Sequence, residues 1–204
     1  MKEKIVKLIL EETRKNYDLI APAFSETRQR LWLDFDFFKK YIKVGDNILD
    51  IGCGNGRFYE FLKDKKINYK GIDNSSNLIS EAKKRYPTIA SSFEVGDVLD
   101  FKPEAKFDKI FCLAVLPHLP SQALRLKALS NLRKILKEEG MLFLTCWNLY
   151  NQKYLPYILK YSALKFFPKV VIPNVKSTDL NFKDVFIPWK KTSDRKNIMR
   201  YYHA

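Results

Sequence analysis

Residues 47–56 read "NILDIGCGNG". A short apolar run ends in an aspartate and an isoleucine, and three glycines follow at alternate positions, Gly52, Gly54 and Gly56. Apolar runs of this length bounded by glycine are buried strands. The next residues, "RFYEFLKDKK", place Phe58, Phe61 and Leu62 at helical spacing. A glycine-rich turn between a strand and a helix lets the backbone approach a nucleotide closely. The spacing is GxGxG rather than the dinucleotide GxGxxG, and a glycine triplet alone can be a turn with no ligand.

The alternation continues outward. "INYKGID" (67–73) is a second strand, and "SSNLISEAKKRYP" is a helix with a serine N-cap that stops at Pro87. "SSFEVGDV" (91–98) is a third strand, and "FDKIFCLAVL" (107–116) is a fourth, almost wholly apolar. "SQALRLKALSNLRKILKEEG" predicts an amphipathic helix capped by Ser121 and terminated by Gly140. "MLFLTCW" (141–147) is the fifth strand. Strands alternating with helices predict an α/β protein with a doubly wound, mostly parallel sheet. Helices precede it, with a break expected at Pro22, and "YNQKYLPYILKYSALKFFPK" follows it. The chain reads as one domain in three parts: an N-terminal helical lid (1–45), a core (46–148) and a basic, aromatic-rich C-terminal region (149–204).

Three aspartates follow successive strands, the place where open α/β sheets bind ligands. Asp73 ends the second strand, 17 residues after Gly56, where a carboxylate can accept both ribose hydroxyls. Asp97 ends the third in "VGDV" and is placed for an adenine amine. Asp50 precedes the glycines and faces the amino-acid end of a cofactor.

This arrangement resembles the class I S-adenosylmethionine-dependent methyltransferases over about residues 40–148. The resemblance implies a Rossmann-like fold and S-adenosylmethionine as cofactor. It also implies that Gly52, Gly54, Asp73, Asp97 and Val98 contact that cofactor, with Leu113 and Ala114 near its methionine part. A cationic sulfonium in place of a pyrophosphate accounts for acids around the loop and no P-loop lysine.

Outside the core the likeness narrows. "YDLIAPAFSETRQRLW" (17–32) is similar to the N-terminal signature of the tRNA wobble-uridine carboxymethyl methyltransferases, which carry "IAxxFSxTRxxxW". "LAVLPHLPS" (113–121), "DVFIPW" (184–189) and "RYYH" (200–203) match further family segments in the same order. Pro117 departs from the family's frequent double histidine. The family's acceptor is a carboxylate on a modified uridine. Such a group is ionised at neutral pH and needs orientation and exclusion of water rather than a general base. Arg28, His118, Arg200 and His203 fall in the matching segments and are expected to serve as the catalytic group, with the stretch 17–32 as a lid over the methyl end. Tyr201 and Tyr202 read equally as core and as base-stacking residues. The family fold continues past the segment like "RYYH" with a helix and two more strands, so a sheet lacking those final strands is expected, with an open edge.

Bulk properties point the same way. The chain has 204 residues, 46% hydrophobic and 29% charged, which suits a globular domain with a sizeable core. The formal charge is +14, and it is uneven: +2 over residues 1–100, +4 over 101–150 and +8 over 151–204. That balance favours a polyanionic partner such as nucleic acid, and the resemblance implies that it is tRNA. Tyr150, Tyr154, Tyr157, Tyr161, Phe166 and Phe167 interleave with Lys153, Lys160, Lys165 and Lys169, a pattern that can grip RNA. The same tyrosine spacing is one face of a packed helix, and the two readings are compatible. Cys53, Cys112 and Cys146 read as buried, reduced thiols of a cytoplasmic protein, and no Cys/His spacing suggests a metal. No apolar stretch approaches the roughly 20 residues of a membrane span. Eukaryotic members of the resembling family work with a small activator protein, which makes such a partner an expectation; the oligomeric state is not legible. Two other readings remain open: a methyltransferase for a small carboxylate or quinone-like substrate, and a noncatalytic RNA-binding remnant of the fold.

Overall fold

The computed structural model describes residues 1–28, 30, 32–189 and 198–204. In chain order the elements are α1 (Glu3–Thr27), β1 (Asn47–Ile51), α2 (Arg57–Leu62), β2 (Asn68–Asp73), α3 (Ser76–Arg85), β3 (Phe93–Val95) and β4 (Phe107–Leu113). These are followed by α4 (Gln122–Ile135), β5 (Leu136–Thr145), α5 (Leu155–Leu164), β6 (Val170–Ile172), β7 (Val175–Lys176), β8 (Asp184–Pro188) and β9 (Met199–His203). The residues divide into two compact units. One comprises Tyr17–Leu113 and Leu126–Thr145; the other comprises Met1–Asn16, Ala114–Arg125 and Cys146–Ala204.

The first unit holds a five-stranded sheet in the order β3-β2-β1-β4-β5, with every pairing parallel. The order reverses between β1 and β4, which sets the ligand crevice at their C-terminal ends. Ile48, Leu49, Ile110 and Phe111 are fully buried, as central strands covered on both faces require. One aromatic cluster gathers Phe35, Phe38, Phe58 and Phe111, with Phe111 stacked on Phe143 at 4.7 Å between centroids. β3 and β5 form the open edges.

The second unit holds β6 paired with β7 and β8 paired with β9, both antiparallel. Its core joins Ile5 and Ile9 to Ile158, Tyr161, Val185, Phe186, Tyr201 and Tyr202. Tyr201 and Tyr202 are therefore core residues, 0% and 4% exposed. Tyr154, Tyr157 and Tyr161 also face this core, so the packed-helix reading holds for them. Phe166 and Phe167 do not share that face and are 75% and 67% exposed.

Five local expectations need correction. α1 runs through Pro22 without a break. Proline cannot donate to the carbonyl four residues back; that carbonyl, of Asp18, accepts instead from the Asn77 side chain at 3.0 Å. The helix after Ser121 stops at Ile135, not at Gly140, because Leu136 is drawn into the sheet opposite Phe107 and buried. Gly140 is needed where the chain folds back: a Cβ there would lie 2.7 Å from Leu136. β3 ends at Val95, which leaves Asp97 in the following loop rather than on the strand. The helix of the C-terminal region is confined to Leu155–Leu164. Cys146, just past the end of β5, is exposed, whereas Cys53 and Cys112 are buried.

Candidate functional site

In the sheet unit the chain leaves β1 through a loop in which Gly52, Gly54 and Gly56 all take positive φ, at 76°, 57° and 73°. Only glycine adopts this repeatedly at low cost. The Gly52 and Cys53 N–H groups both donate to the Ile72 carbonyl, at 2.7 and 3.0 Å, which ties the loop to the end of β2. Asp73 completes the tie. One carboxylate oxygen accepts from Gly54 N–H and the other from Ser75 N–H, each at 2.9 Å. Burial pushes the Asp73 carboxyl up to about 6, against the lowering effect of those two donors.

Asp50 is 2% exposed and accepts a 2.9 Å hydrogen bond from the Tyr69 hydroxyl. Burial raises it to about 7; the Tyr69 bond opposes this, and the charge of Asp73 adds to it. Asp97 accepts from Leu99 N–H at 2.9 Å and from the Asn74 amide at 3.3 Å. Val98 is buried, and its carbonyl accepts from Asn131. Leu113 ends β4 and packs on the aromatic cluster.

The stretch 17–32 meets this loop. The Phe24 ring lies 3.6 Å from where a Gly54 Cβ would sit, and the buried Asn55 donates to Ser25 Oγ at 3.2 Å. Asp18 accepts from Ser75 Oγ at 2.6 Å at the start of α3. The Arg28 guanidinium lies 5.4 Å from the Phe24 ring centre, and its charge adds to the burial that lowers Arg57. Phe24, Ser25 and Asp18 thus contact the glycine loop and the start of α3.

The second unit carries the other predicted groups. Ala114 follows β4 with φ of 60°, a left-handed conformation that costs a non-glycine residue energy and turns the chain sharply. His118 Nδ1 lies 2.7 Å from the Tyr201 carbonyl. A carbonyl only accepts, so Nδ1 carries the proton and Nε2 keeps a lone pair. Burial pulls the His118 imidazole down to about 4, the Tyr201 bond opposes this, and the Arg200 charge adds to it, so the ring is neutral at pH 7. Tyr201 links onward: its hydroxyl donates to Asp184 at 2.7 Å, and His203 Nδ1 bonds the same carboxylate oxygen at 2.7 Å. Asn181 N–H fills the other oxygen at 2.7 Å. Arg200 spans two rings, 4.9 Å from Trp189 and 5.4 Å from Tyr202, and its Nε has no hydrogen-bond partner among the described residues.

The structure therefore brings Asp50, Gly52, Gly54, Gly56, Asp73, Asp97, Val98, Leu113 and Arg28 into one unit, and Ala114, His118, Arg200 and His203 into the other. Sequence reasoning missed Asp184, although a lone acid opening the apolar run "DVFIPW" signals a buried partner. It also missed Arg57 and Asp18, which nothing but their neighbours distinguishes.

A parallel sheet in this order, with a glycine loop after β1, is the Rossmann-like fold of the class I methyltransferases. Residues 48–140 match the family model described as a methyltransferase domain. The chain is 32% identical over 142 residues to the tRNA (carboxymethyluridine(34)-5-O)-methyltransferase alkbh8 of Xenopus tropicalis, covering 68% of this chain and 21% of that protein. It is 27% identical over 207 residues to the tRNA (carboxymethyluridine(34)-5-O)-methyltransferase of Schizosaccharomyces pombe, covering 95% of this chain and 82% of that protein. The chain thus spans about a fifth of the first relative's length. A crystal structure of a Pyrococcus horikoshii protein shares the fold with a TM-score of 0.58 at 23% identity, over 83% of this chain and 71% of that one. No described helix is long and apolar enough to cross a membrane.

Proposed function

We propose that this chain uses S-adenosylmethionine to methylate the carboxylate of a 5-carboxymethyl uridine at the wobble position of tRNA, giving a methyl ester. The site fits the cofactor on three counts. The glycine loop admits a close ligand. Each Asp73 oxygen accepts one N–H and so retains a lone pair for a ribose hydroxyl. The acids around the loop favour a cationic ligand. When bound, that cofactor supplies an electrophilic methyl group on a cationic sulfur. Asp73 and Asp97 hold the nucleoside, Asp50 faces the amino-acid end, and Val98, Leu113 and Ala114 line the remainder.

The observation that carries the acceptor reading is the chain of bonds through Tyr201. His118, Tyr201, Asp184 and His203 are joined by contacts of 2.7 Å, with Arg200 held between two aromatic rings beside them. A neutral His118 suits a reaction that needs no proton removed. Arg200 offers a cation for the acceptor carboxylate, His203 helps to orient it, and Arg28 guards the methyl end of the loop. The basic C-terminal region supplies the phosphate contacts for tRNA. Residues 1–45 act as the lid, 46–148 as the cofactor core and 149–204 as the RNA-facing region, in the cytoplasm and with a small activator protein as partner.

The test is methyl transfer from labelled cofactor to total tRNA, followed by nucleoside analysis. Label should appear as a base-labile ester on a wobble uridine. Label on a small carboxylate instead, or none on tRNA in a protein that binds the cofactor, defeats the reading.

A further inference from the structure

We propose that Arg57 is the receptor for the α-carboxylate of the cofactor, an inference that rests on the S-adenosylmethionine reading above. Arg57 directly follows Gly56 and opens α2, where the glycine loop ends. Its guanidinium lies 4.4 Å from the centre of the Trp32 ring, a cation–π contact. Among the described residues it has no ion pair and no hydrogen bond, although it is only partly exposed. A partly buried guanidinium with no protein partner keeps its donors available to an anionic ligand.

The surroundings specify an anion. Burial pulls Arg57 down to about 10, and the like charges of Arg28 and Arg85 push in the same direction. Asp50 is the acid whose charge opposes them, and its own carboxyl is raised to about 7. Positive charge is therefore in surplus on this side of the loop, whereas Asp73, Asp97 and Asp18 make the other side negative. The ends of S-adenosylmethionine match that division. Its ribose and adenine present donors to the acids, and its amino-acid end carries one ammonium and one carboxylate. Asp50 suits the ammonium, and the Arg57 fork suits the carboxylate in a bidentate pair.

The test compares two ligands differing only in that carboxylate, S-adenosylmethionine and decarboxylated S-adenosylmethionine, by titration calorimetry. Arg57→Ala should weaken the first by roughly 10- to 100-fold. It should leave the second within about twofold, and the retained affinity also shows that the variant is folded. Should that variant fail to fold, Arg57→Gln keeps the stem over Trp32 and removes the charge, with the same expectation. Equal losses for both ligands, or no loss for either, overturn the assignment while leaving the cofactor reading in place. If the unaltered chain binds neither ligand, the cofactor reading falls, and this inference falls with it.

Discussion

Replacing Asp184 with asparagine probes the bond chain that orders the acceptor side. Its carboxylate is 2% exposed and takes three donors: Tyr201 Oη and His203 Nδ1 on one oxygen, and Asn181 N–H on the other, all at 2.7 Å. Asparagine can keep its carbonyl toward Tyr201 and His203. Its amide then meets Asn181 N–H, donor against donor, and that buried N–H loses its partner. The opposite rotamer strands two donors instead of one. The two bonds that survive in the better pose lose their charge assistance, and such bonds contribute about 1.5–3 kcal/mol each against about 1 for neutral ones. The total cost is about 2–3 kcal/mol. For a chain of this size that lowers the unfolding midpoint by about 5–10 °C. Asp184→Ala leaves all three donors unmet and should cost more, about 3–5 kcal/mol. Thermal unfolding followed by circular dichroism reads both. A midpoint for Asp184→Asn within about 1 °C of the unaltered chain would show that the three bonds do not hold the β8–β9 hairpin, and the argument for ordered histidines would fail.

Arg200→Ala should leave S-adenosylmethionine affinity within about twofold while methyl transfer to tRNA falls by roughly 10²-fold, since misplacing an acceptor by about 1 Å costs that much; parallel losses in binding and transfer would move Arg200 to the cofactor half. Neutralising Lys160, Lys165 and Lys169 together should flatten the slope of log affinity for tRNA against log salt by about 2, at roughly 0.7–0.9 per phosphate contact; an unchanged slope means that phosphates lie elsewhere. The raised carboxyls of Asp73 and Asp50, about 6 and about 7, must ionise to attract a cationic cofactor, so calorimetric affinity should rise from about pH 5 to 8 and then level off. In the ligand-free chain the sign reverses. A carboxyl whose folded value lies above its unfolded value of about 3.9 costs stability once ionised, so the unfolding midpoint should fall between about pH 4 and 7, and less so in Asp50→Asn.

What the sequence displayed and what it concealed divide along a physical line. Strand β1, its glycine loop and β4 were legible because a strand buried on both faces leaves a continuous apolar run, and because a loop of positive φ needs glycines at fixed positions. The place of Asp73 at the end of the second strand was legible, but its ties to Gly54 and Ser75 were not, since they depend on which N–H groups the folded loop turns inward. The misread boundaries share one cause. Local rules stop a helix at proline or carry it to the next glycine. Here a distant side chain overrides the first rule, with Asn77 filling the carbonyl that Pro22 leaves open, and the sheet overrides the second by capturing Leu136.

The same line separates the two arginines at the loop. Arg28 was noticed because it sits in a polar cluster within a recognisable signature. Arg57 was not, because one arginine opening a helix is ordinary in any sequence. What sets Arg57 apart is the company it keeps after folding: a tryptophan ring from residue 32, two further guanidiniums and one acid. A bound carboxylate would offset the repulsion from Arg28 and Arg85. Binding of the cofactor should therefore stabilise the chain by more in 20 mM than in 500 mM salt, because part of the gain is relief among like charges that salt screens. Melting shifts with saturating S-adenosylhomocysteine at the two ionic strengths provide the comparison. A shift that does not depend on salt would mean that the guanidinium surplus plays no part in holding the ligand.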